Sequence, residues 1–122
     1  MKHLANCTPT EFLKQVRRLR GPFRAWLEAT GIPAIRARRP EGFEDMTDEE
    51  KRDALIEQAR LNTPEILDAA LEKDFDGTIA LLCMATFTEP EDFDSHTLGE
   101  YLQAVNAMLT DEGVRGFFTL YL

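Results

Sequence analysis

The 122-residue chain is 43% apolar and 30% charged, the proportions of an ordinary globular domain and not of a disordered segment. Its net charge of −8 argues against a dedicated nucleic-acid binder, since phosphates are repelled at long range. Cys7 and Cys83 lie far apart and outside any C-x-x-C pair, so they read as ordinary reduced thiols and not as a disulfide framework.

The charge is segregated. Residues 1–40 carry nine Lys/Arg against Glu11 and Glu28, a net +7; the remaining five basic and twenty acidic residues give −15. Such polarity steers encounters and favours head-to-tail self-association, so a homo-oligomer is expected. Two solvated faces are the alternative reading of the same split. The N-terminus lacks the apolar core of a secretory signal, and the longest apolar run, residues 79–85, is too short to cross a bilayer. A cytoplasmic protein with no membrane partner is expected.

Helical punctuation recurs along the chain, and no stretch shows the two-residue alternation of a strand. Thr8-Pro9-Thr10-Glu11 is a capping box with proline at the first helical position. Phe12, Val16, Leu19, Phe23 and Trp26 then recur at intervals of 4, 3, 4 and 3 residues, one apolar stripe. The stripe keeps its phase through Gly21-Pro22. Two helices with a turn at Gly21 are the alternative to one helix kinked at Pro22 that reaches about Glu28. Gly31 ends it. Residues 32–39 suit a short helix that docks Ile32 and Ile35 and leaves Arg36, Arg38 and Arg39 wet. Residues 40–46 read as a loop.

Thr47-Asp48-Glu49-Glu50 is a second capping box. Ala54, Leu55, Ile56 and Ala59 follow at core spacing. Asn62 closes that helix, and Thr63-Pro64-Glu65 opens another whose apolar face is Ile66, Leu67, Ala70 and Leu71. Residues 74–77 read as a turn. Residues 79–85 are apolar all round, as in a central, fully buried helix. Residues 88–94 form a polar loop. A long helix from about Ser95 shows Leu98, Tyr101, Leu102, Val105, Met108 and Leu109, the cleanest amphipathic pattern in the chain. Thr110-Asp111-Glu112 caps a last short helix bearing Val114, Phe117, Phe118, Leu120, Tyr121 and Leu122. The expected fold is all-α, a compact bundle of about six helices in one domain over residues 1–122. It consists of a basic helical head (1–40), a loop (40–46) and an acidic helical body (47–122).

The inventory for bond chemistry is short. The only histidines are His3 and His96; the first lies near a chain end and the second reads as a solvated first-turn residue, so neither is a poised base. The apolar neighbours of Cys83 make an inert thiol. Glu89, Glu91, Asp92 and Asp94 with His96 are the best candidates for a hard cation, but the spacing of a calcium loop is missing there and at Asp74-Phe75-Asp76-Gly77. No glycine-rich phosphate cradle occurs. The expectation is a protein that is not an enzyme and takes no cofactor or metal. Two features suit protein binding: the basic head, with Arg17, Arg18, Arg36, Arg38 and Arg39, and the closing cluster, with Phe117, Phe118, Leu120, Tyr121 and Leu122. Docking of the last helix on the core is the competing use of Phe117 and Phe118. Contact of the basic head with nucleic-acid phosphates, as in a phage or mobile-element regulator, is the alternative function.

Taken together, scattered positions resemble the tail assembly chaperones of long-tailed phages and prophages. In the head they are Asn6-Cys7, Glu11-Phe12-Leu13-Lys14-Gln15, Leu19-Arg20, Trp26-Leu27, Thr30, Ile32 and Ile35-Arg36. Further on they are Met46-Thr47-Asp48-Glu49-Glu50-Lys51, Phe87, Glu89-Pro90-Glu91-Asp92 and Tyr101-Leu102, and at the close Asp111-Glu112, Val114 and Phe117-Phe118. The resemblance implies a non-enzymatic protein encoded just before the tape-measure protein. It would coat that long, helical, aggregation-prone client, help tail-tube subunits polymerise around it, and be absent from the mature virion. Many such proteins occur in a short and a frameshifted longer form, and this chain would be the short one. The resemblance carries no catalytic residues.

Overall fold

The computed structural model describes residues 1–121, and the side chains of residues 1–120. All regular structure among them is helical: α1 (Pro9–Thr30), α2 (Ile32–Arg36), α3 (Asp48–Glu72), α4 (Phe75–Ala85), α5 (Leu98–Thr110) and α6 (Glu112–Tyr121), with 3-10 turns at Phe43–Asp45 and Pro90–Ser95. The all-α expectation holds. No described helix is long and apolar enough to cross a membrane.

Local chemistry explains most of the boundaries. Three helices start on reciprocal capping boxes, Thr8 with Glu11, Thr47 with Glu50, and Thr97 with Glu100. In each, the threonine hydroxyl accepts from the glutamate amide at 3.2 Å and the carboxylate accepts from the threonine amide at 3.0–3.1 Å. The third box moves the start of α5 from Ser95 to Leu98. Gly31 ends α1 in the left-handed region, φ +69°, which glycine adopts without strain. One α1 runs through Pro22, in accord with the unbroken stripe.

Three expectations are corrected. Pro64 does not open a new helix: α3 is continuous through it. Proline removes one hydrogen bond from the ladder, and Asn62, read as the stop, is instead buried in mid-helix. Residues 74–77 are not all turn, because α4 already starts at Phe75 and takes in Asp76 and Gly77. Residues 79–85 are helical, but only Cys83 among them is buried; the rest are half-buried, apart from exposed Ala80.

The contacts fall into two units. One comprises Met1–Phe23 and the chain from Asp76 onward; the other is Arg24–Phe75. In the first, Leu4, Ala104, Met108 and Val114 form the buried centre, ringed by Ala5, Phe12, Ala85, Phe87, Val105 and Phe118. The Leu4 amide donates to the Ala85 carbonyl at 3.2 Å, and the buried Gln15 amide donates to the Met84 carbonyl. The N-terminal segment and α1 are thus both tied to the end of α4. That end is a Schellman motif: Thr88 N–H reaches Cys83 O at 2.9 Å and Phe87 N–H reaches Met84 O at 3.5 Å. Phe87 takes the left-handed position, φ +53°, where glycine is usual.

In the second unit, Ile32, Ile35, Ala69 and Ala70 are buried together, with Trp26 and Ile66 against them. Asn62 joins α3 to α2: its amide donates to the Ile35 carbonyl at 3.0 Å, and its oxygen accepts from Gln58 at 2.9 Å. Thr30, fully buried, donates to the Trp26 carbonyl at 2.8 Å.

Candidate protein-interaction surface

Each predicted contact residue has a definite place. Arg17, Arg18, Arg36, Arg38 and Arg39 are all exposed. Arg38 forms a two-pronged ion pair with Glu65, one arm at 2.8 Å; that hydrogen bond holds the Glu65 carboxyl below the usual carboxylate range. Arg39 donates to the Arg36 and Arg38 carbonyls at 3.1 and 2.9 Å, and its guanidinium lies 5.7 Å from the centre of the Phe43 ring. Lys51 approaches the same ring at 5.5 Å. These two arginines are engaged with their own unit.

Arg17 is placed differently. It lines a groove of about 370 Å³ on one side of α1, together with Leu13, Lys14, Val16, Arg20 and Phe117. Two of the predicted residues, Arg17 and Phe117, therefore meet in one feature. Phe117 is half-buried and packs edge-to-face on Phe12, centroids 5.0 Å apart. Phe118 packs against Phe117 at 5.8 Å and Phe23 at 6.3 Å. The last helix thus docks both phenylalanines on its own unit, while Leu120 points into solvent. Leu122 and the side chain of Tyr121 lie outside the described residues.

The surface that sequence reasoning missed is made of leucines assigned to the core. On α5, Tyr101, Ala104 and Met108 are buried. Leu98, Leu102 and Leu109 are 70, 58 and 66% exposed, with half-buried Val105 between them. At about 100° per residue these four positions fall within roughly 60° of one another, a single row along one edge of the helix. The apolar arc of α5 is wider than the area its unit covers. On α3, Ile56, Leu61, Leu67 and Leu71 are likewise exposed, since the helix turns Asn62, Ala69 and Ala70 inward instead. The spacing of Leu55, Ile56 and Ala59 suggested a core face, but all three are exposed.

Burial, with Glu89 adding to it, pushes the Cys83 thiol up and keeps it protonated. His96 sits just before the α5 cap, half-buried, with Nδ1 3.1 Å from the Glu100 carboxylate and its ring edge-on to Tyr101. Burial raises the Tyr101 phenol, which donates to the Phe93 carbonyl at 2.7 Å. Among the described residues, no three His, Cys, Asp or Glu side chains are grouped to hold a metal ion. Set against models of known protein families, curated proteins and solved structures, the chain matches none of them.

Proposed function

We propose that this chain is a non-enzymatic tail assembly chaperone of a long-tailed phage or prophage. It acts in the bacterial cytoplasm on the tape-measure protein and, during assembly, on tail-tube subunits, and it is absent from the finished virion. The observation that carries the reading is the leucine row of α5, Leu98, Leu102 and Leu109, taken with the residue resemblance along the chain. A row spaced 4 and 7 residues apart is complementary to the apolar stripe of another helix. A long helical client exposes such stripes repeatedly. Covering them lowers the free, self-associating population by mass action. Three leucines bury less than the roughly 1,200–2,000 Å² of a stable complex. Each copy therefore holds weakly, and arriving tube subunits displace it.

Co-expression with the adjacent tape-measure protein tests this. The intact chain raises the soluble fraction of the client; a Leu98→Asp, Leu102→Asp, Leu109→Asp variant does not. Because these side chains are already exposed, each change costs the fold only about 0.5 kcal/mol, so the loss is one of binding. A client equally soluble with no chaperone, or with the triple variant, contradicts the proposal.

A further inference from the structure

The α1 groove has chemistry of its own, separate from the α5 row. Its apolar wall is Leu13, Val16 and Phe117, and its charged edge is Lys14, Arg17 and Arg20. The cations recur every third residue, so they span about 9 Å of helix at 1.5 Å per residue. Among the described residues no carboxylate pairs with Lys14 or Arg17. A ligand for this groove must bring apolar side chains and negative charge side by side at helical spacing.

This chain presents such a surface. On α3, exposed Leu67 and Leu71 stand one turn apart, and each is followed at once by an exposed carboxylate, Asp68 and Glu72. On α1 the order is the same with the opposite charge, Leu13-Lys14 and Val16-Arg17, with Leu13 exposed and Val16 buried in the floor of the groove. No described cation pairs with Asp68 or Glu72. The segregation of +7 and −15 along the sequence thus has a local expression in two complementary helix faces.

We infer that the α1 groove is the receptor for the Leu67-Asp68/Leu71-Glu72 face of α3 from a second copy of this chain. Leu67 and Leu71 pack on Leu13 and Phe117, and the two carboxylates meet Lys14 and Arg17. Every copy carries one groove and one α3 face, so the contact is heterologous and runs head to tail. Assembly grows with concentration past the dimer. It weakens about tenfold or more between low and high salt, because its charge pairs lie at the surface and are screened.

Complementation decides the matter. Mass is measured by light scattering for the intact chain, for the groove variant Lys14→Glu/Arg17→Glu, and for the α3 variant Asp68→Lys/Glu72→Lys. Circular dichroism confirms that each is helical. The intact chain exceeds 13.9 kDa increasingly with concentration, each variant alone stays monomeric, and mixing the two restores assembly. The mixture pairs basic with acidic faces in both directions, which a misfolded variant cannot do. An intact chain that remains monomeric overturns the inference. So do variants that assemble as well as the intact chain, a mixture that stays monomeric, or a groove that takes acidic helical peptides while the chain itself does not associate. The α5 leucines are untouched in every variant, so client solubility scores the chaperone reading separately.

Discussion

Asn62 donates to a carbonyl 27 residues away, a polar tie between α2 and α3 beside their shared apolar cluster. Replacing Asn62 with alanine leaves the Ile35 carbonyl only its longer bond from the Arg38 amide, 3.3 Å. Asn62→Ala should cost about 0.5–1.5 kcal/mol, measured by urea unfolding, whereas Thr63→Ala at the exposed neighbouring position should cost less. Phe87 supplies a second test at this scale. Its left-handed backbone, φ +53°, disfavours any side chain, while its ring packs on the core and lies 4.8 Å from the Lys2 ammonium. Both Phe87→Ala and Phe87→Gly lose the ring, but only glycine relieves the backbone. The glycine variant should be more stable than the alanine variant by about 1 kcal/mol; equal stabilities would show that the backbone strain is illusory. Neither role is legible in the sequence. Asn62-Thr63-Pro64-Glu65 spells a helix stop and restart in local code, whereas the contacts that bury Asn62, Ala69 and Ala70 against α2 come from residues far away in sequence. The position of Phe87 after α4 follows from the Thr88–Cys83 bond, which no neighbouring glycine announces.

Helix starts are where local sequence speaks most directly. The boxes at Thr8 and Thr47 are readable from Thr-x-x-Glu alone, and so was the one at Thr97, which the acidic segment before it obscured. Thr47→Ala and Thr97→Ala should each cost about 1 kcal/mol, seen as a lower melting temperature with helical content otherwise retained. The same caps set a pH dependence. Hydrogen bonds at Thr47 and Thr97, the backbone amide first, hold the carboxyls of Glu50 and Glu100 below the usual carboxylate range. A carboxyl that ionises more easily folded than unfolded adds stability above its unfolded value, and that contribution fades as pH falls through the lower folded value. The melting temperature should therefore decline on acidification from the usual carboxylate range downward, and Glu50→Gln/Glu100→Gln should flatten the decline. An unchanged slope in that double variant would remove the caps as its cause. Helix faces were less legible than helix starts. The periodicity of α5 defines an apolar arc, but how much of that arc its own unit covers depends on which elements pack there. Tyr101, Ala104 and Met108 took the inner part and left the leucines outside.

At the scale of the whole molecule, the all-helical class was legible from punctuation and spacing. The binding surface was legible only in part. The basic head and the aromatic close were read as two separate contact features, and the structure places one residue of each, Arg17 and Phe117, in the α1 groove. The same reasoning gave Arg38 and Arg39 to a partner, although Glu65, Phe43 and nearby carbonyls occupy them; charge composition does not reveal which cations pair within the fold. Leucines that look like core by periodicity, Leu98, Leu102 and Leu109, are well exposed in the folded chain. An exposed row of this kind is a binding surface or an aggregation hazard, and the proposed client supplies its cover. Hydrogen exchange by mass spectrometry on the complex with a tape-measure fragment tests that claim most directly. The account predicts slower exchange across Leu98–Thr110 when the fragment binds, lost in the Leu98→Asp, Leu102→Asp, Leu109→Asp variant. A fragment that binds and leaves exchange in α5 unchanged would contradict it.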